Sequence, residues 1–337
     1  MISLAALRDE LKSPKNIVIT THHKPDGDAM GSSLGLYAYL IQKGHNVRVI
    51  TPSDYPVFLH WLPNNSQVLV FPDSVAQSQS IVAQADLVFC LDFNTLSRIH
   101  ELGDSIRQSS AKKIMIDHHL EPEGFDDFRY WDTKACATAQ LVYEFISKEL
   151  NDVKAINADV ATCLYTGIMT DSGSFRFPSA TSKVYRIAAD LMDLGADNAK
   201  IHQQVFDNVS ENRLKFLGYC LSSKLEILPT HHTAIISVSK EELEHYHVET
   251  GDTEGIVNYA LSLSGIKLAA FIVERKDVVK LSLRSIGDFP ANEICKNYFN
   301  GGGHRNAAGG NSSLSLEDTV ARFKSVLPQY ETLLADA

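Results

Sequence analysis

Apolar residues fall into short blocks along the first half of the chain. Runs rich in Val, Ile, Leu and Phe occupy 16–20, 46–51, 68–71, 86–91 and 112–116. Each has the length and β-branched character of a strand. Between them, helices are expected over 29–43, 74–83 and 101–110. The small residues Ala29, Gly31, Ser32, Ser33 and Gly35 would let the first of these lie close to the sheet or a ligand. Gly44 stands where a helix normally stops. Alternating strands and helices predict a mostly parallel sheet covered on both faces.

From 135 the apolar spacing becomes three and four. It predicts helices over 135–150, 158–169, 182–194 and 199–225, the last broken near Ser210. A second set of strands follows at 232–238, 267–273 and 278–284, then helices over 292–299 and 315–334. The expected class is α/β. A domain with a mostly parallel sheet covers 1–195, a helical connector 196–229, and a smaller α/β domain 230–337.

Composition narrows the partners. The chain has 337 residues and 44% apolar content, enough for two cores. A net charge of -10 argues against duplex DNA, which is held by neutralising phosphates with Lys and Arg. The five cysteines are scattered without zinc-like spacing and are expected as buried free thiols. No secretory signal is seen, and no apolar run nears the ~20 residues that cross a bilayer. The expected setting is cytoplasmic, with no membrane partner.

The candidate chemistry sits where strands end. The first strand leads into His22, Asp26 and Asp28, the fourth into Asp92, and the fifth into Asp117, His118 and His119. Ligands bind outside the carboxyl ends of strands in open α/β sheets. Asp171 stands at a helix exit as a further oxygen donor. A lone Asp after a strand is more often a helix cap, but six ligand-type residues at element ends are hard to assign to turns. Asp26 and Asp28 are read as lying in one extended loop, pointing to opposite sides. The carboxylates of Asp26, Asp28, Asp92 and Asp171 match two divalent cations in charge. With His22 and His118 they still leave open coordination positions, as in a two-metal hydrolase. A shell of oxygen and imidazole without thiolate favours manganese or magnesium, with iron or cobalt as alternatives.

In the second half, Gly301-Gly302-Gly303-His304 reads either as a flexible turn or as a backbone cradle for an anion. Arg284, at a strand end, is placed to pair with phosphate. No Gly-rich segment ends in Gly-Lys-Ser or Gly-Lys-Thr, which gives an ATPase little support.

With these motifs the sequence resembles the DHH phosphoesterase superfamily. The matching residues are His22-His23-Lys24-Pro25-Asp26-Gly27-Asp28, Asp92, Asp117-His118-His119 and Thr170-Asp171-Ser172-Gly173. Gly301 to His304 and Ala307-Ala308-Gly309 resemble the DHH-associated domain. Within the superfamily the chain is similar to stand-alone bacterial proteins of the oligoribonuclease and pAp-phosphatase type. The resemblance implies two manganese ions in a cleft between the domains. One would take His22, Asp26 and Asp92. The other would take Asp28, Asp92, His118 and Asp171, with Asp92 bridging. It further implies that Asp117 orients a histidine and that His119 faces the substrate phosphate. Arg284, Gly302, Gly303 and His304 would hold the far end of the nucleotide.

The expectation is a metal-dependent phosphoesterase in which an activated water attacks phosphorus without a side-chain nucleophile. Asp117 and His119 are its candidate catalytic residues, and the cations are two manganese ions, with magnesium or cobalt as substitutes. Its partners are short single-stranded oligonucleotides or phosphorylated nucleotides, 3′-phosphoadenosine 5′-phosphate among them, with a homodimer as the candidate assembly. The competing readings are a cyclic or linear dinucleotide phosphodiesterase, an exopolyphosphatase, a pyrophosphatase, and a nucleotide-binding module without turnover.

Overall fold

A computed structural model describes residues 2–336. The chain divides by internal contacts into one unit ending at Asn208 and a second beginning at Val209. The division falls inside the segment expected as a connector.

The first unit is built on six strands: β1 (Asn16–Thr20), β2 (Asn46–Thr51), β3 (Val68–Val70), β4 (Leu87–Leu91), β5 (Lys112–Asp117) and β6 (Phe128–Trp131). They lie in the order β3-β2-β1-β4-β5-β6, and every neighbouring pair is parallel. The continuous apolar runs follow from burial on both faces. Ile17, Ile19, Phe89, Ile114 and Ile116 face one core, formed with helices Gly27–Gln42, Thr138–Glu144, Ala158–Asp171 and Ser182–Asp193. Val18, Val88 and Cys90 face another, with Val82, Leu102 and Ile106 from helices Val75–Ala83 and Glu101–Gln108.

Helix Gly27–Gln42 is buried along most of its length and packs on helix Ala158–Asp171 and, as expected, against the sheet. Small residues set that approach. A methyl group on Gly31 would stand 2.5 Å from the carbonyl oxygen of Cys163, and one on Gly167 would stand 3.3 Å from Cα of Asp28. This contact fixes the start of one helix against the end of the other, where Asp28 and Asp171 stand.

The second unit has strands β7 (Leu225–Leu228), β8 (Thr233–Val238), β9 (Leu268–Glu274), β10 (Val279–Ser285), β11 (Gly302–His304) and β12 (Ala307–Ser312). Their order is β11-β12-β10-β9-β8-β7, antiparallel except for β8 and β9. Leu281, Leu283 and Ala308 face a core with Ile294, Phe299 and Phe323. Ala234, Ile236, Ala269 and Phe271 face another with Ile256, Val257 and Ala260.

Several expected boundaries move, for local reasons. The helix expected over 29–43 begins at Gly27, because Asp26 caps it. The helix expected over 135–150 begins at Thr138 and passes into a π turn at Phe145–Glu149. The 199–225 stretch breaks at 207–210, Ser210 caps the next helix, and Leu225 already belongs to β7. The last helix runs Leu316–Val326 and tightens at Leu327–Tyr330, where Pro328 sits. Strands β6, β7, β11 and β12 and helices Leu4–Glu10, Lys240–His245 and Ile256–Leu261 were not anticipated. The last two helices lie in the crossover that the parallel β8–β9 pair requires. All five cysteines are free and buried. Among the described residues no helix is long and apolar enough to cross a membrane.

Gly31→Ala tests the helix contact. It should lower unfolding free energy by about 1–3 kcal/mol through overpacking against a backbone atom, measured by urea denaturation. An unchanged midpoint would show that the two helices can separate without loss.

Candidate metal centre

The strand order reverses between β1 and β4, so the chain leaves these neighbours in opposite directions. Such a point opens a crevice at the carboxyl ends of the strands. β1 ends at Thr20, β4 at Leu91 and β5 at Asp117. His22, Asp92 and His118 therefore emerge side by side.

Asp26 is the N-cap of helix Gly27–Gln42. Its carboxylate accepts the N–H groups of Asp28 and Ala29, both at 3.1 Å. Asp28 thus lies in the first helical turn, and the extended loop expected for this pair is corrected. Helical spacing replaces alternation because the cap starts the helix before Asp28.

Asp28 is 1% exposed, and both its oxygens are in use. Oδ2 accepts the N–H of Thr138 at 2.6 Å, and Oδ1 that of Ala139 at 2.8 Å. It caps helix Thr138–Glu144, whose own N-cap residue, Ala137, has no capping side chain. Asp92 is also buried and accepts the Thr138 hydroxyl at 2.9 Å. Nε2 of His22 lies 3.4 Å from Asp92 and 3.8 Å from Asp26. The His118 ring donates Nδ1–H to the Ala135 carbonyl at 3.1 Å. That leaves its Nε2 facing Asp92 at 3.4 Å, Asp171 at 3.6 Å and Asp28 at 3.9 Å. His119 is held through Nδ1 by the fully buried Asp117, at 2.8 Å.

Within the first unit, three sets of donor atoms come within 4.8 Å of one another: His22, Asp26 and Asp92; Asp28, Asp92 and His118; Asp92, Asp117 and His119. Asp92 belongs to all three.

Residues 16–168 match the N-terminal domain of the DHH family, and residues 233–330 match the DHHA1 domain. The chain is similar to the bifunctional oligoribonuclease and PAP phosphatase NrnA of Thermus thermophilus, with 32% identity over 91% of this chain and 87% of that one. The protein of the same name from Bacillus subtilis is 27% identical over 94% of each chain. A solved structure of an exopolyphosphatase-related protein from Bacteroides fragilis superimposes with a TM-score of 0.93. It is 37% identical, covering 98% of this chain and 97% of that one. The chain belongs to the DHH phosphoesterase family.

Enzymes of the DHH family use divalent metals, and the donor set here fits them. Burial and the neighbouring Asp92 and Asp171 carry the Asp28 carboxyl well above the usual range. Burial opposes charge on His22, yet Asp26 and Asp92 bring its pKa up to about 10. Burial likewise opposes ionising Asp92, but hydrogen bonds from His118 and His22 hold it well below the usual range. Four carboxylates around two imidazoles leave surplus negative charge at short range, which divalent cations neutralise.

The second-unit candidates lie along one strand row. Arg284 pairs with Ala307, and Ala307 with His304, across β10, β12 and β11. Directly paired residues project to the same face. The glycine segment is a hairpin strand rather than a loop. Gly303 has φ +133, and a methyl on Gly301 would stand 2.0 Å from the carbonyl oxygen of Gly309. Close strand pairing therefore demands glycine at both positions, and Gly302, with open space around its Cα, is exposed.

Sequence reasoning did not find Thr138 or Ala135. Thr138 sits at the head of an apolar helix with no local capping signature. Ala135 acts through its carbonyl, which any residue carries. Thr138→Val should weaken divalent-metal affinity about tenfold by freeing an Asp92 oxygen, and Thr138→Ser should restore it. Calorimetry on the purified protein reads both, and equal affinity in all three forms would limit the hydroxyl to a packing role.

Proposed function

We propose that this DHH enzyme hydrolyses short oligoribonucleotides to mononucleotides and dephosphorylates 3′-phosphoadenosine 5′-phosphate, using two divalent cations. The sharing of Asp92 among three donor sets carries the reading. His22, Asp26 and Asp92 would hold one ion. Asp28, Asp92, His118 and Asp171 would hold the other. Manganese suits this mixture of carboxylate and imidazole without thiolate, with magnesium or cobalt as alternatives. When bound, the cations neutralise charge on phosphoryl oxygens and lower the pKa of an attacking water.

The chain's own groups do the rest. Asp117 fixes the His119 ring through Nδ1 and so sets its orientation, and His119 would meet the substrate phosphate. Ala135 fixes His118 in the same way, directing Nε2 at the carboxylates. In the second unit, Arg284 offers a planar fork to a phosphate. His304 and the backbone of Gly302 and Gly303 would bind beside it, over the small Ala307 between them. Among the described residues no nucleophilic cysteine is exposed, and all five thiols are buried.

The two NrnA relatives support the nucleotide substrates. The exopolyphosphatase-related name of the Bacteroides fragilis protein is the reason to include polyphosphate as a competing substrate. The test is manganese-dependent turnover of 3′-phosphoadenosine 5′-phosphate, di- to pentaribonucleotides, linear and cyclic dinucleotides, and polyphosphate. Fastest release of mononucleotides from the shortest RNAs is expected, and a preference for polyphosphate or a cyclic dinucleotide would overturn the substrate. Asp92→Ala should cost at least about 10³-fold in rate, because it strips a donor from both ions. It should also abolish manganese-dependent thermal stabilisation. Retained turnover would remove Asp92 from the centre.

A further inference from the structure

We propose that His23 and His100 form an aromatic platform for a nucleobase beside the metal centre, and that it sets a preference for nucleotides over base-free phosphoesters. The inference deepens the reading above and rests on it for the reaction. The two rings lie on the loops that leave β1 and β4, the strands at the reversal of the sheet order. Their centroids are 4.2 Å apart, with the planes tilted by 42°.

The platform is tied to the centre from both loops. His23 directly follows His22, and its carbonyl lies 3.0 Å from Nδ1 of that residue. The N–H of His23 donates to the Arg98 carbonyl at 2.8 Å. The Arg98 guanidinium in turn reaches the Asp92 carbonyl at 3.5 Å. A ligand phosphate at the carboxylate and imidazole cluster would therefore have its attached base within reach of these rings.

His100 is an expensive choice for a surface position. It is exposed, and its backbone stands at φ 50, ψ -133, a conformation that favours glycine. It occupies the N-cap of helix Glu101–Gln108, yet its side chain makes no capping hydrogen bond. Ser, Asp, Asn or Gly would start the helix better. Strain held at an exposed loop residue points to a use for the side chain. The residue also borders a cavity of about 380 Å³ whose lining includes Thr95, Asp104, Arg107 and Glu123. An imidazole face grips a base through its π face rather than its hydrogen-bonding edge, so the pair would accept any base.

The test compares the parent protein with His100→Gly, which relieves the backbone while deleting the ring, and with His100→Phe, which restores a ring. Calorimetry on the manganese-loaded protein measures affinity for AMP and for ribose 5-phosphate. The parent should favour AMP by about tenfold. In His100→Gly the ratio should fall toward one, and His100→Phe should recover most of it. With dinucleotides and their analogues made abasic at either position, the lost preference should appear in KM rather than kcat. If His100→Gly keeps the AMP preference and only melts at lower temperature, the stack is a clasp between loops and the proposal is overturned. If dinucleotides are not cleaved but His100→Gly still loses the AMP preference, the reaction assigned above falls and the platform stands.

Discussion

Two backbone amides resting on the Asp28 carboxylate hold the first unit's centre together. Thr138 and Ala139 donate to its two oxygens, so a residue in one helix caps another. A negative group at a helix N-terminus is favoured by the unpaired N–H groups and by the helix dipole. That offsets part of the cost of burying Asp28. A third helix closes around the same atom, for a methyl on Gly167 would stand 3.0 Å from Oδ1. Asp28, Thr138 and Gly167 therefore specify one arrangement of three helices. That arrangement puts Asp171, at the end of the third helix, opposite His118.

The same constraint explains why the centre is both stable and charged. Isolated buried carboxylates are costly and tend to take up protons. Here each one has a structural partner before any ligand arrives. Asp26 caps its own helix, Asp28 caps another, Asp92 receives the Thr138 hydroxyl, and Asp117 holds His119. These bonds occupy some lone pairs and leave others facing inward. Donors fixed in this way lose little freedom on binding a cation, which is how outer partners tune a metal site. Burial, with Asp92 and Asp171 close by, still raises the Asp28 pKa, so these bonds do not fully offset the cost of its charge.

Much of this was legible in the sequence where the signal is local. The strands of the parallel sheet are buried on both faces, so they read as uninterrupted apolar runs. The acids and histidines at their ends could then be placed on one edge of the sheet. Asp26 shows the limit of such reading. The caution that a lone Asp after a strand is often a cap describes it well, and it is a candidate ligand as well. Thr138 was hidden because its cap comes from a residue over a hundred positions earlier. The strand character of the glycine-rich segment was hidden because the close contacts of Gly301 with Gly309 and of Gly303 with Ala307 are visible only once β11 and β12 are paired. The helices between β8 and β9 escaped because they are short, and a parallel pairing, unreadable beforehand, is what demands them.

Strain runs through the loops around the reversal of the sheet. Lys24, Asp92 and His100 all carry positive φ without being glycine. Each such residue costs about 1–3 kcal/mol and persists only when its surroundings over-determine it. The surroundings do so here. The Lys24 N–H is held by the Ser53 hydroxyl at 2.8 Å, and that of Asp92 by the Ile116 carbonyl at 3.1 Å. The carbonyl of His100 accepts the N–H of Gly103 at 2.9 Å. These bonds come from β2's exit, from β5 and from the following helix, so the loops are braced by the scaffold rather than by one another alone. A left-handed Asp92 turns the chain sharply at the end of β4 and brings one carboxylate within reach of His22, His118 and His119. An extended residue there would project its side chain to one face of the sheet instead. The strain is the geometric condition for one carboxylate to belong to three donor sets.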